Sequence, residues 1–99
     1  MRQTKDREDG IRKLELSDEF LLDAAEKRYD AGDYMGALTM LNKRAGMYPP
    51  SADASALYAD IYEAFSLWSP CADAWFRFLD TCNEADFGEG YEGLAFAFA

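Results

Sequence analysis

The residue types best able to do chemistry in this 99-residue chain are carboxylates: 19 Asp and Glu stand against 10 Lys and Arg, and His is absent. Glu19, Asp23, Glu26 and Asp30 are spaced i, i+4, i+7, i+11. At ~100° per residue on a helix they fall within an arc of ~60°, a single acidic stripe. Unopposed like charges at i,i+4 cost a few tenths of a kcal/mol each. The stripe is therefore either a solvated face or a surface kept for a cationic partner. Carboxylates alone support little else here. A di-metal site in a helical bundle pairs Glu with Glu-x-x-His, which a chain without His cannot supply. A Ca²⁺ loop needs Gly at a fixed place, and the turn at Asp30–Asp33 is too short for one. Nucleophilic catalysis lacks a His base, and Gly88-Glu89-Gly90 is too little for a phosphate loop. The sequence predicts no enzyme, no metal and no cofactor.

Charge and cysteines narrow the partners. The net charge is −9, and residues 1–13 carry +2 of their own, so the rest holds −11. Such a surface repels phosphate backbones, and nucleic acid is not an expected partner. No stretch approaches the ~20 apolar residues of a membrane span, and no secretory leader is present. Cys71 and Cys82 lie eleven apart in one expected helix, ~16 Å at ~1.5 Å per residue, too far to bridge. Packed, reduced thiols point to the cytoplasm.

The elements that must position these groups are helices. Val is absent and Ile occurs only at Ile11 and Ile61, whereas a sheet draws heavily on both. Residues 1–16 are polar and read as a flexible arm or linker. Ser17 caps a first helix carrying Phe20, Leu21, Ala24, Ala25 and Tyr29, stopped by Gly32. Asp33 caps a second, with Tyr34, Ala37, Leu38, Leu41 and Ala45, ended near Gly46 before Pro49-Pro50. Ser51 caps a third with Ala54, Leu57, Tyr58, Ile61, Tyr62 and Phe65. Ser69-Pro70 reads as the start of a fourth, Ser at the cap and Pro at the first helical position, running to about Cys82. A fifth begins near Ala85 or Asp86 and is still apolar at Phe96 and Phe98. Short turns make neighbours antiparallel.

A shift by one period of about 34 residues aligns Ala25 with Ala59, Tyr34 with Trp68, Ala37 with Cys71, Leu41 with Trp75, and Ala45 with Leu79. Small meets small, aromatic meets aromatic, large apolar meets large apolar. With these pairs the chain resembles the tetratricopeptide repeat family, whose signature is W-x2-L-G-x2-Y, A-x3-F and P. Tyr29–Leu38, YDAGDYMGAL, is similar to the family's inter-helix turn, followed by Ala37-x3-Leu41 and Pro49. Tyr58-Ala59-x2-Tyr62 and Cys71-x3-Trp75 match in the second unit. Tyr91-x2-Leu94-Ala95-x2-Phe98 matches in the third if two residues are inserted. Arg28 replaces a preferred aromatic, which suggests a looser first hairpin or a cap. The turn Ser66-Leu67-Trp68-Ser69 lacks the usual Gly, and Asn83 stands where the family places Pro.

The resemblance implies an all-α fold of antiparallel helix-turn-helix repeats in a short right-handed α-solenoid. It has about 2.5 units and five helices, at 17–50, 51–84 and a truncated 85–99. It further implies a non-catalytic scaffold whose concave face, lined by the first helix of each unit, binds a protein segment. On that face would lie Glu19, Asp23, Glu26 and Asp30, then Asp53, Asp60 and Glu63, then Glu89 and Glu92. A basic or amphipathic segment would be drawn there. The family's carboxylate-clamping mode does not fit, because the corresponding positions are acidic or apolar. The alternative is a structural spacer or a homodimer formed through the apolar terminal helix. The aromatics between Tyr58 and Phe78 are expected in the core, with Trp68 or Phe76 left exposed.

Overall fold

A computed structural model describes residues 17–99; the expected arm, residues 1–16, lies outside them. Among the described residues there are five α-helices and no strand: α1 Asp18–Asp30, α2 Tyr34–Ala45, α3 Ala52–Ala64, α4 Trp68–Thr81 and α5 Phe87–Phe98. A 3₁₀ turn, Glu84–Asp86, leads into α5. Among the described residues, no helix is long and apolar enough to cross a membrane. Cys71 is buried, Cys82 half-buried, and neither is bridged.

The caps form where the sequence places them. Ser17 Oγ accepts from Phe20 N at 3.1 Å, and Ser51 Oγ accepts from Ala54 N at 3.2 Å. Asp33 Oδ1 accepts from Gly36 N at 2.9 Å. Each such cap is worth about 1 kcal/mol of helix stability.

The repeat period extends to the backbone bonds themselves. In the first turn Gly32 N donates to Tyr29 O at 2.9 Å and Asp33 N to Arg28 O at 2.8 Å. In the second turn, one period on, Ser66 N donates to Glu63 O at 2.9 Å and Leu67 N to Tyr62 O at 2.8 Å. This is the six-to-one closure of a helix that ends on a left-handed residue. Gly32 takes φ +82° at no steric cost; Ser66 takes φ 57° despite its Cβ. The turn that lacks Gly is therefore built the same way with Ser in Gly's place.

That closure moves the expected start of the fourth helix. Once Ser66 is left-handed, Leu67 becomes the cap residue, with no side-chain cap bond, and α4 begins at Trp68. Ser69 and Pro70 fall inside the first turn. Pro70 breaks no bond there, because the first four N–H groups of a helix have no intrahelical acceptor.

Two apolar clusters hold the helices together. Ala25, Ala37, Leu41, Ala54, Leu57 and Ile61 join the first hairpin to α3. Ala59, Cys71, Ala72, Ala74, Trp75, Phe78 and Leu94 join α3, α4 and α5. The aligned pairs Ala25/Ala59, Ala37/Cys71 and Leu41/Trp75 are all buried. Ala45 departs from its partner Leu79: it is exposed where Leu79 is half-buried. Arg28, in place of the preferred aromatic, is exposed, and its Nη1 pairs with Asp33 Oδ2 at 3.2 Å across the turn.

The last helix needs no two-residue insertion. Its span lies one period beyond α3 to within a single position, and Ala95, the expected small contact, is exposed. Gly93, one period after Ala59, makes the close approach instead: a Cβ there would overlap the Trp75 indole. Gly90 does the same against Leu79 and Phe78.

Candidate functional site

α1 and α3 lie side by side one repeat apart and leave a cleft of about 290 Å³ between them. Glu26 and Asp30 reach it from α1; Asp53 and Asp60 reach it from α3. Tyr29, Ala56 and Leu57 complete its lining. Spacing explains the convergence. On α3, positions 53, 56, 57 and 60 share one face, as do 26 and 30 on α1.

The other expected site residues divide around this cleft. Glu19 and Asp23 line a separate hollow of about 450 Å³ further along α1, with Phe20 and Leu22, and Glu26 borders both hollows. Asp23 is also engaged locally, 3.0 Å from Lys27 Nζ one turn on. Glu63 does not line the cleft, but its charge acts on Asp60 and on Tyr29. Glu89 of α5 acts on Asp60 as well, and Asp30 of α1 joins Asp60 and Glu63 in acting on Tyr29. Glu92 is exposed on α5.

Asp60 is the most perturbed of them. Burial, then the charges of Glu63 and Glu89, push its pKa up to about 6. Burial followed by Asp60, Tyr34, Glu63 and Asp30 also raises the Tyr29 phenol. A carboxylate held under such repulsion gains from any cation placed beside it. Phenol and leucine surfaces between the acids can take the methylenes of a Lys or Arg side chain. No group of three or more His, Cys, Asp or Glu among the described residues is arranged to hold a metal ion.

The aromatics sort largely as expected. Trp75 and Phe78 are buried and Tyr58 and Tyr62 half-buried, while Trp68 is 41% and Phe76 49% exposed. Phe65, expected in the core, is 38% exposed at the rim of the second turn.

Sequence reasoning missed a cation on the other side of α3. Arg44 is 3% exposed, and its Nε and Nη2 bind Asp18 Oδ1 and Oδ2 at 2.5 and 3.2 Å. The signal was there: Arg44 lies three residues after Leu41, on the buried stripe of α2. Comparisons with protein-family models, curated proteins and solved structures find no match to this chain.

Proposed function

We propose that the chain is a non-catalytic interaction module whose acidic cleft between α1 and α3 receives a basic or amphipathic protein segment. The observation that carries this reading is the convergence of Glu26, Asp30, Asp53 and Asp60, from helices one repeat apart, on one hollow floored by Tyr29 and Leu57. The raised pKa of Asp60 adds to it, since a cationic partner relieves the repulsion that burial and neighbouring acids impose. Recurrence of the turn bonds at the repeat period supports reading the hairpins as tetratricopeptide-like units of a right-handed α-solenoid. Two unbridged cysteines fit a reducing compartment such as the cytoplasm.

The test is the affinity of a fluorescent Lys/Arg-rich peptide, measured by anisotropy at low salt. Glu26→Lys combined with Asp60→Lys is expected to weaken binding by more than 10-fold, and raising salt should weaken the wild type. Unchanged affinity in the double variant would remove the cleft from the proposal.

A second reading rests on the other end of the fold, as a self-association element. Phe96 and Phe98 of α5 are 57% and 70% exposed, and their rings lie tilted against Trp68 and Phe76 of α4 at 5.7 and 6.4 Å between ring centres. A second copy of the chain is the occupant this patch suits. Sedimentation should then give a mass that rises with concentration and falls back on Phe96→Ser with Phe98→Ser. A concentration-independent monomer would refute it.

A further inference from the structure

The opposite side of α3 holds a hollow of about 330 Å³ where α2, α3 and α4 meet. Residues 54, 55, 58 and 62 line it, about half a turn around the helix from the acidic cleft. We propose that this hollow is a binding site for an aromatic anion, a single ring bearing a phosphate or carboxylate.

Charge is the first argument. In a chain of net −9, two guanidinium groups converge here, Arg44 from α2 and Arg77 from α4. Arg44 is anchored by Asp18 and cannot swing away. Arg77 is exposed, and its guanidinium has no ion pair or hydrogen bond among the described residues. Both act on the Tyr58 hydroxyl, drawing its pKa down while burial, the largest influence, and then Tyr62 raise it.

A buried residue's hydroxyl supplies the second. Ser55 is 4% exposed, lines the hollow, and makes no side-chain hydrogen bond among the described residues. Thr39 and Thr81 in the same fold bond back to the carbonyls of Met35 and Arg77, each at 2.9 Å. Ser55 does not take that local solution. Every fully enclosed side-chain polar atom among the described residues has a partner, so the Ser55 hydroxyl opens on the hollow, where a ligand acceptor can bond it.

Ring surface is the third. Tyr58 and Tyr62 stack with centres 6.0 Å apart and planes at 16°, one turn apart on α3. The Tyr58 hydroxyl donates to Asn42 Oδ1 at 2.8 Å, fixing the first ring and leaving the Asn42 amide nitrogen as a further donor. Pro50 adds a flat apolar face. The polar groups left over are donors: a guanidinium, a hydroxyl and an amide. They select an acceptor-rich anion, and the stacked phenols select a ring beside it. A site of this volume is at the small end of ligand pockets, fit for one ring with its acid group.

Phenyl phosphate is the probe, titrated calorimetrically into the full chain. Saturable binding is expected, with Kd on the order of 0.1–1 mM for so small a ligand. Arg77→Glu should raise Kd at least 10-fold, and Ser55→Leu, which fills the hollow, should abolish binding. Ser55→Ala should raise Kd several-fold and covers the case in which the leucine variant does not fold. Lys43→Glu makes the same charge change outside the hollow and should leave Kd unchanged. Inorganic phosphate should bind at least 10-fold more weakly.

No saturation at millimolar phenyl phosphate overturns the proposal. So does equal weakening by Arg77→Glu and Lys43→Glu, which marks general charge attraction; equal affinity for inorganic phosphate overturns the aromatic requirement. A phosphotyrosine peptide that binds more tightly than phenyl phosphate assigns the ring to a protein side chain. A peptide that binds no more tightly assigns it to a free small molecule. Asp60→Lys should leave phenyl phosphate binding intact while weakening the basic peptide, so the two sites fail separately.

Discussion

Between α2 and α3 the chain leaves a hollow of about 330 Å³ and lines it with guanidinium groups, phenols and a serine. Between α4 and α5, the next seam along, Trp75, Phe78 and Leu79 fill the space, and side chains are removed at Gly90 and Gly93 to admit them. Both seams join one hairpin to the helix that follows. The second does it with dispersion and close approach at Gly90 and Gly93. The hollow of about 350 Å³ left further along it is lined largely by Trp68, Phe76, Ala97 and Phe98, with no cation. The first combines an apolar cluster with a Tyr58–Asn42 bond from α3 to α2. The Arg44–Asp18 pair inside the first hairpin holds one guanidinium at the seam, which keeps polar groups available. Both seams leave space, but cationic groups line it only in the first.

The largest effect should come from closing the tight seam. Gly93→Ala places a methyl group inside the Trp75 indole and should cost about 3 kcal/mol, a Tm loss of more than about 10 °C. Gly88→Ala is its control. A Cβ there meets nothing within 4 Å, so this variant should gain about 0.5–1 kcal/mol from helix propensity alone. If both alanines behave alike in thermal unfolding, the seam is not as close as described.

Next in size is the anchor of the open seam. Asp18→Ala strands the Arg44 guanidinium at 3% exposure and should cost about 2 kcal/mol, less than a fully buried pair because Asp18 is half-exposed. Arg44→Met removes the charge along with the need for its partner, and should cost less than Asp18→Ala. Urea unfolding of the two variants orders them; the reverse order would mean that the pair itself, and not the stranded cation, carries the energy.

A smaller effect distinguishes the acidic side of α3. The folded-state pKa of Asp60, about 6, lies above the ordinary carboxylate value. The stability it contributes is therefore fully present below about pH 4 and is lost as pH rises through 6. Asp60→Asn should leave stability unchanged near pH 4 and raise it by about 1 kcal/mol at pH 7, after allowance for solvent screening at this half-buried position. A pH series of melts reads this directly, and a variant equally stabilised at both pH values would show that burial of the charge is not the cause.

The smallest change lies in neither seam. Ser66→Gly relieves a left-handed residue and should gain about 0.5–1 kcal/mol, with both seams and the proposed binding of basic peptide and phenyl phosphate unaffected. A change in ligand affinity would couple the second turn to the hollow.

Much of this architecture was legible in the residues. Ser17, Asp33 and Ser51 cap where short polar side chains precede an apolar run, because cap chemistry is local. Gly32 ends α1 for the same local reason. Ser66 hid its role, since nothing in a serine announces φ 57°; the backbone closure of the turn imposes it, and the start of α4 shifts with it. The acidic stripe was legible as a face of α1. Its convergence with Asp53 and Asp60 depended on the one-period offset, while Glu63 stays out of the lining although its counterpart one period earlier, Tyr29, is part of it. The arginine–tyrosine hollow was not legible, because its members come from three helices and a turn, and only their packing brings Arg44 to Arg77.

Both hairpin turns close through the same pair of main-chain hydrogen bonds, and Gly32 and Ser66 perform that closure with different side chains. Turn shape is thereby uncoupled from the identity of most residues around it. Helix surfaces can consequently differ, carboxylates where α1 meets α3 and indole and phenyl rings where α4 meets α5, without disturbing the backbone that spaces them. A fold with that licence can change the surface of one helix pair while leaving its neighbour's intact.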